Sequence, residues 1–217
     1  MKKLLMVLFV FLLTAQLKAQ VDVSAGMGIN YWSAPSLNDY INSYIAVSSD
    51  QMPSFSTNVE FYGEAGLNLP GNLQVGLDYA YLIYSYNTNN GKVGKYDFTY
   101  NMHMPTLTAY YVLQGPGYKF KFGGGAGYRV ALFTEKFYNS IGTYDYKARG
   151  VGFLLKADGN TSLGGNLYAN IALLLRFDFL GKPTSDNNSF LPGQMVLNDI
   201  SFNSYSAGLR LGMTYFF

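Results

Sequence analysis

The feature that most constrains this chain is a two-residue alternation of apolar and polar side chains that begins at residue 21. Val23, Ala25 and Met27 occupy one parity of the first segment, and Ser24 and Gly26 occupy the other. A period of two places successive side chains on opposite faces, which is typical of a β-strand. Similar segments follow near 58–69, 73–84, 96–113, 118–133, 150–158, 167–179 and 204–217. The sequence therefore predicts eight strands.

Charge within these strands keeps to the parity that also carries Gly and Asn. Six acids and six bases share it: Asp22, Glu60, Glu64, Asp78, Lys119, Lys121, Arg129, Lys156, Asp158, Arg176, Asp178 and Arg210. Charged residues make up only 13% of the chain, against roughly 25% in soluble domains. In a closed barrel in lipid the apolar face points outward, because an outward Lys or Arg at the bilayer midplane costs about 2–4 kcal/mol. The sequence thus predicts a lumen in which these twelve charges form a paired network.

The connections alternate in length. Turn-forming Pro, Gly and Asn occupy 69–72, 114–117 and 164–166, whereas 33–57, 87–95, 135–145 and 181–199 are longer and polar. Outer-membrane barrels have short periplasmic turns and long external loops. This alternation places both chain termini in the periplasm.

Residues 1–20 have the composition of a secretory signal peptide. Lys2 and Lys3 precede ten apolar residues, Leu4–Leu13, and Ala19 supplies a small residue before the expected cleavage after Ala19 or Gln20. Ten residues are too few for a transmembrane helix, which needs about 20. We expect residues 21–217 to form one barrel domain.

The chain resembles the small bacterial outer-membrane β-barrel proteins, the group that includes the transmembrane domain of outer membrane protein A. The signal peptide, the eight amphipathic strands, the loop alternation and the last segment, Leu209–Phe217, carry this resemblance. It implies an all-β, eight-stranded antiparallel up-and-down transmembrane β-barrel, a monomer surrounded by outer-membrane lipid. Leu211, Met213, Tyr215 and Phe217 resemble the signal by which the barrel assembly machinery recognises its clients. The resemblance is specific for architecture, since such barrels include adhesins, enzymes, small-molecule conduits and structural proteins.

No catalytic motif stands out. The run Gly123–Gly127 lacks the helix and the Lys-Ser/Thr of a phosphate loop, so we interpret it as strand glycines that make room for inward side chains. His103 is the only histidine, and its same-face neighbours Asn101 and Pro105 offer no hydroxyl. Lipid A deacylases carry a serine where Pro105 stands. We expect a structural histidine in the lumen or at the rim, and a bulge or change of facing at Pro105.

One segment departs from the strand pattern. Helical spacing relates Leu37, Tyr40, Ile41, Tyr44 and Ile45. With Ser36 as N-cap and Asp39 in the first turn, this predicts a short helix in the first external loop. It would pack over the barrel mouth or lie at the membrane interface, with a ligand lid or a partner surface as alternatives.

Tyrosines near strand ends, among them Tyr31, Tyr100, Tyr118 and Tyr205, are predicted to anchor the barrel at the headgroups.

The predicted function is a non-enzymatic outer-membrane protein with a structural, envelope-integrity or surface-interaction role through its external loops. Eight strands enclose a lumen that side chains fill, so we expect no large aqueous pore. A net charge of +2 and the absence of Cys lead us to expect no nucleic acid, cofactor or metal. Three alternatives stay open: an outer-membrane acyl-chain enzyme, a conduit for small hydrophobic molecules, and a secreted lipocalin-like barrel. Inward Leu82, Leu154, Leu174 and Phe133 are the only hint of a conduit.

Overall fold

The computed structural model describes residues 21–46, 51–90, 94–138, 142–185 and 201–217. The expected signal peptide, 1–20, lies outside the described residues. The strands are β1 (Val21–Ser33), β2 (Ser56–Leu69), β3 (Leu73–Asn90), β4 (Gly94–Gly115), β5 (Tyr118–Phe137), β6 (Gly142–Gly164), β7 (Leu167–Leu180), β8 (Thr184–Ser185) and β9 (Ser204–Phe216). One helix, α1 (Pro35–Tyr44), follows β1.

The strands close into a ring. Each long strand pairs antiparallel with its sequence neighbours, β1 pairs with β9, and the pairings of β5 with β6 and of β7 with β9 complete the circle. The two-residue β8 pairs with the outer end of β6. The predicted eight-stranded up-and-down transmembrane barrel is confirmed.

The outward face of the barrel carries an apolar belt. On β3 the belt runs from Leu73 to Ile83, with Val75, Leu77 and Tyr79 between them, all exposed. Ten residue steps cover about 33 Å of strand, and a tilt of about 40° makes the belt about 25 Å tall, the height of the apolar band in outer-membrane barrels. The secreted alternative requires the opposite arrangement, with the apolar face buried.

Strands β3 to β6 continue beyond the belt as an outer extension, which consists of residues 84–90, 94–101, 133–137 and 142–149. The loops predicted at 87–95 and 135–145 are wrong in length, because β3 reaches Asn90, β4 starts at Gly94, β5 ends at Phe137 and β6 starts at Gly142. Outward residues such as Asn87 are polar here, and this polarity suggests loops in the sequence although the strands continue.

The bulge or change of facing predicted at Pro105 is wrong. Even-numbered residues of β4 point inward on both sides of the proline, and the register with β3 is unbroken. Pairing with β5 skips Met104 and Pro105 but resumes in the same register. The proline therefore removes local ladder bonds without shifting the strand.

Helix α1 forms where the sequence predicted it, but begins earlier. Its N-cap is Ala34, without a side-chain hydrogen bond, and Pro35 occupies the first turn, so neither the Ser36 cap nor Asp39 in the first turn is present. Proline supplies a helical φ at a position that needs no N–H donor.

The buried face of α1 packs onto inward side chains at the barrel mouth. We call this group the mouth cluster: Trp32, Leu37, Tyr40, Ile41, Met52, Tyr84, Tyr96, Phe98, Tyr100, Met102, Phe133, Tyr146 and Phe202. Tyr100 is fully buried and stacks on Trp32, with 5.3 Å between ring centroids. Its predicted role as a headgroup anchor is therefore wrong, whereas Tyr31, Tyr118 and Tyr205 are exposed on the outward face.

The glycines of β5 allow a close approach of backbones. A Cβ added at Gly125 would collide with the main-chain oxygen of Leu107 on β4. These residues give room to the backbone of the neighbouring strand, and at Gly125 also to the inward side chain of Thr106, whose Cγ2 would lie 3.0 Å from an added Cβ.

Candidate functional site

The structure buries all twelve charges of the predicted lumen network, and each has an opposite charge within 4.0 Å. Ten of them form one continuous chain of ion pairs: Lys119, Asp22, Lys121, Glu64, Asp158, Lys156, Asp78, Arg210, Glu60 and Arg176. Arg129 and Asp178 form a further pair. Alternation along seven strands brings these side chains inward, since inward positions recur every second residue.

The network begins near the periplasmic end with Asp22 of β1. Its carboxylate accepts a hydrogen bond from Lys119 Nζ at 2.8 Å and one from Gln74 Nε2 at 2.6 Å. Lys121 Nζ lies 3.9 Å from the same carboxylate and leads upward to Glu64.

Glu64 is the centre of the next layer. Lys121 Nζ donates to it at 3.2 Å, Lys156 pairs with its other oxygen, and the Tyr110 hydroxyl donates at 3.1 Å. The ammonium groups of Lys121 and Lys156 also lie 5.4 and 5.2 Å from the Tyr110 ring centroid. Glu64 is thus paired with two cations, which also lie within 4.0 Å of Asp158.

Arg210 of β9 connects two acids across the barrel. Its Nε donates to Glu60 at 2.6 Å and its Nη1 donates to Asp78 at 2.5 Å. Arg176 Nη1 lies 2.7 Å from the second oxygen of Glu60. The guanidinium of Arg210 also stacks 4.3 Å from the Tyr62 ring centroid. The planar fork of arginine suits such two-sided recognition.

The uppermost pair lies directly below the mouth cluster. Arg129 Nε donates to Asp178 at 2.6 Å, and Arg129 Nη1 donates to Thr106 Oγ1 at 3.0 Å. Tyr100 and Met102 of the mouth cluster are completely buried. The lumen is therefore occupied by paired charges below and by aromatic side chains above.

The buried carboxylate of Glu135 lies against the mouth cluster. The Tyr96 hydroxyl donates to it at 2.7 Å, and the hydroxyls of Tyr40 and Tyr146 interact with it electrostatically. Burial raises the pKa of Glu135, and the three hydroxyls only partly offset this effect. Burial, with the neighbouring Glu135, also raises the pKa of Tyr40. Tyr40 belongs to α1, so this electrostatic interaction links the helix to Glu135 of β5.

His103 faces outward and not into the lumen. Its Nδ1 lies 2.7 Å from the Tyr79 hydroxyl, and its ring centroid is 4.9 Å from that of Tyr81. Even-numbered residues of β4 fill the interior, so the odd-numbered histidine lies at the outer edge of the apolar belt. The expected lumen position is therefore wrong.

Sequence reasoning missed the inward positions of Tyr110 and Glu135. Tyr110 was missed because the expected change at Pro105 obscured its inward parity, which it shares with Thr106 and Thr108. Glu135 was assigned to a loop. Its inward parity with Phe133 was the available signal.

The four predicted assembly-signal residues all lie on the exposed outward face at the periplasmic end of β9 or just after it: Leu211, Met213, Tyr215 and Phe217. Within the part of the chain that the structure describes, no helix has the length and hydropathy to cross a membrane.

No protein-family model and no curated protein sequence matches the chain. Solved structures do match in fold. Neisserial surface protein A is 13% identical with a TM-score of 0.51, covering 91% of this chain and 97% of its own. The outer membrane protein OprG from Pseudomonas aeruginosa is 14% identical with a TM-score of 0.53, covering 92% and 96%. Ail, the attachment invasion locus protein of Yersinia pestis, solved with the heparin analogue sucrose octasulfate, is 11% identical with a TM-score of 0.51, covering 93% and 100%.

These likenesses confirm at the level of fold the resemblance drawn from the sequence. The architecture is that of the small outer-membrane β-barrel proteins.

Proposed function

We propose that this chain is an integral bacterial outer-membrane protein, exported by residues 1–20, that acts without catalysis. Its barrel stabilises the envelope or presents its external segments to other molecules. The observation that carries this proposal is the filled interior, in which twelve paired charges and the mouth cluster occupy the space that a pore or an internal site would need. An eight-stranded barrel has little interior volume beyond this.

The external side supports a role in surface contact. Helix α1 and the outer extension place polar outward residues and the exposed ring of Tyr44 beyond the apolar belt. Conformational variety in such barrels resides in these external segments, whereas the strands supply a rigid support.

The enzyme alternative has less support. A catalytic system with a hydroxyl nucleophile needs a histidine beside that hydroxyl and an acid. The contacts of His103 are the Tyr79 hydroxyl and the rings of Tyr79 and Tyr81. The conduit alternative would use Leu82, Leu154, Leu174 and Phe133. These side chains are buried in the packed interior next to the paired charges.

Insertion would depend on the barrel assembly machinery, with Leu211, Met213, Tyr215 and Phe217 on β9 as the recognised surface. The mature protein would then function as a monomer in lipid.

Planar-bilayer recording tests the closed interior. Protein whose folding is verified by heat-modifiable gel migration should give at most small, rare openings. A steady conductance in the nanosiemens range would contradict the proposal. Incubation with phospholipid and lipid A tests the absence of catalysis, since acyl release that disappears in His103→Phe would favour the enzyme instead.

A further inference from the structure

A pocket of about 480 Å³ lies at the periplasmic opening of the lumen, between the β4–β5 turn, the β6–β7 turn and the end of β9. Its lining includes Gln114, Tyr118, Lys119, Asn166, Tyr168 and Phe216. Lys119, Tyr168 and Phe216 have the inward parity of their strands, so the pocket is the last part of the lumen before it meets water. Its volume is in the range of small-ligand sites.

Aromatic rings form part of the wall of this pocket. Tyr168 and Phe216 meet edge to face, with 4.5 Å between ring centroids. The Phe216 amide donates to the Asn166 carbonyl at 3.0 Å and ties the end of β9 to the β6–β7 turn. The ring of Tyr118 lies over Gly115, where an added Cβ would come within 2.5 Å of it. The three rings are therefore held in place, and each is at least partly exposed to water.

Lys119 is the one charged side chain among the residues that line the pocket, and its charge is compensated. Its Nζ donates to Asp22 at 2.8 Å and to Asn68 Oδ1 at 2.9 Å. The same ammonium lies 4.6 Å from the centroid of the Phe216 ring. The lining therefore offers no uncompensated side-chain charge, and an uncharged ligand suits the pocket better than an anion does.

Carboxamide groups supply the other polar contacts that the pocket offers. Gln114 and Asn166 are exposed at two different turns of the opening. Each carboxamide has two N–H donors and one acceptor oxygen. The described lining contains no Ala, Val, Leu, Ile or Met, the residues that would hold an aliphatic side chain of a bound peptide. Rings beside amides suit a sugar, because its C–H face packs on the negative face of an aromatic ring while its polar substituents form hydrogen bonds.

We propose that the periplasmic opening binds an uncharged oligosaccharide of N-acetylated sugars. One pyranose ring packs its C–H face on Tyr168, and its acetamido and hydroxyl groups form hydrogen bonds with Gln114 and Asn166. An acetamido group has one N–H donor and one acceptor oxygen, which a carboxamide complements with its own acceptor and donors. The site goes beyond the proposed function, and only its periplasmic placement rests on the proposed membrane location.

The test is a saturation-transfer difference NMR titration of the mature protein in detergent micelles with the N-acetylglucosamine trimer. The wild type should bind this sugar about tenfold more tightly than maltotriose, a glucose trimer that lacks the acetamido groups. Gln114→Ala should weaken binding about two- to tenfold, which corresponds to one net hydrogen bond. The matched control, Gln51→Ala, changes an exposed glutamine outside the pocket and should bind as the wild type does.

The aromatic wall is tested by two variants of Tyr168. Tyr168→Leu removes the ring and should weaken binding about two- to tenfold, whereas Tyr168→Phe keeps the ring and should bind as the wild type does. Tyr111→Leu, at an exposed tyrosine on the outward face of β4, is the matched control and should leave binding unchanged. Heat-modifiable gel migration verifies that each variant is folded.

Four outcomes would overturn the proposal: no binding of the N-acetylglucosamine trimer to the wild type, equal binding of maltotriose, equal loss in Gln114→Ala and Gln51→Ala, or displacement of the sugar by trialanine, which would indicate a peptide site. The orientation is tested separately with Pro116→Cys in the β4–β5 turn. Labelling of this cysteine in intact cells by a membrane-impermeant maleimide would refute the periplasmic placement without changing the binding data, so the two failures are distinguishable.

Discussion

The belt region and the outer extension of this barrel differ in which face of the strands, outward or inward, carries the apolar side chains. Below the mouth, the outward face is apolar and the interior holds twelve charges. Above it, on the same strands β3 to β6, the outward face is polar and the interior holds aromatic rings. On β4, for example, outward Leu107 lies in the belt, whereas outward Asp97 lies in the extension.

The register does not change between the two regions, so the surrounding solvent accounts for the reversal. Hydrocarbon excludes outward charge and tolerates an interior of paired ions, whereas water favours outward polar groups and a buried apolar core. One continuous strand is compatible with both solvents because, near His103, the outward face changes from apolar to polar and the inward face changes from charged to aromatic.

The largest expected effect is the loss of Arg210. Arg210→Met leaves Glu60 and Asp78 without their shared partner in the lumen, and removal of one member of a buried pair costs on the order of 3–5 kcal/mol. Reversible urea unfolding in lipid vesicles measures the free energy of unfolding. Lys95→Met, at an exposed pair in the extension, should leave it unchanged, and equal losses would mean that the two regions do not differ as described.

The next effect compares outward positions. Leu173→Arg places a charge in the belt and should cost about 2–4 kcal/mol, whereas Thr99→Arg in the extension should cost within about 0.5 kcal/mol. The same unfolding experiment reports both values. A costly Thr99→Arg would place the extension inside the bilayer.

The sequence predicted the belt region well and the extension poorly, for a physical reason. Alternation with charge on one parity is unambiguous where one solvent surrounds the whole strand, so the inward position of Glu64 or Arg176 was readable. In the extension the apolar parity moves inside, and Tyr100 was assigned to the wrong face. Polar outward residues such as Asn87 also suggested a loop. The partners of each charge depend on three-dimensional register, which alternation alone does not specify.

A smaller effect is expected at the contact between α1 and the extension. Tyr40→Phe removes the polar interaction of this hydroxyl with Glu135 and should cost about 0.5–1.5 kcal/mol. Because α1 lies outside the belt, the loss should appear as faster amide hydrogen exchange in the helix, with exchange in the belt strands unchanged. Uniform acceleration would indicate that the helix and the barrel unfold as one unit.

The smallest effect is a pH dependence. The pKa of Glu135 is raised above 4.5 in the folded protein, so the folded state binds its proton more tightly than the unfolded state. Its contribution to stability is therefore fully present below pH 4.5 and is lost as the pH rises through the raised pKa. Glu135→Gln should remove this dependence, and its stability relative to wild type should improve from pH 4.5 to 8. If the difference in the free energy of unfolding between Glu135→Gln and wild type stayed constant across this pH range, the raised pKa of Glu135 would be contradicted.

The reversal of facing along β4 is tested most directly by nitroxide accessibility. The chain contains no cysteine, so single cysteines can be introduced and spin-labelled at outward positions 95, 99, 103, 107 and 111 of protein in lipid vesicles. We predict high collision rates with a water-soluble nickel reagent at 95 and 99, high collision rates with oxygen at 107 and 111, and a crossover near 103. High collision rates with the nickel reagent at all five positions, or high collision rates with oxygen at all five, would contradict the account.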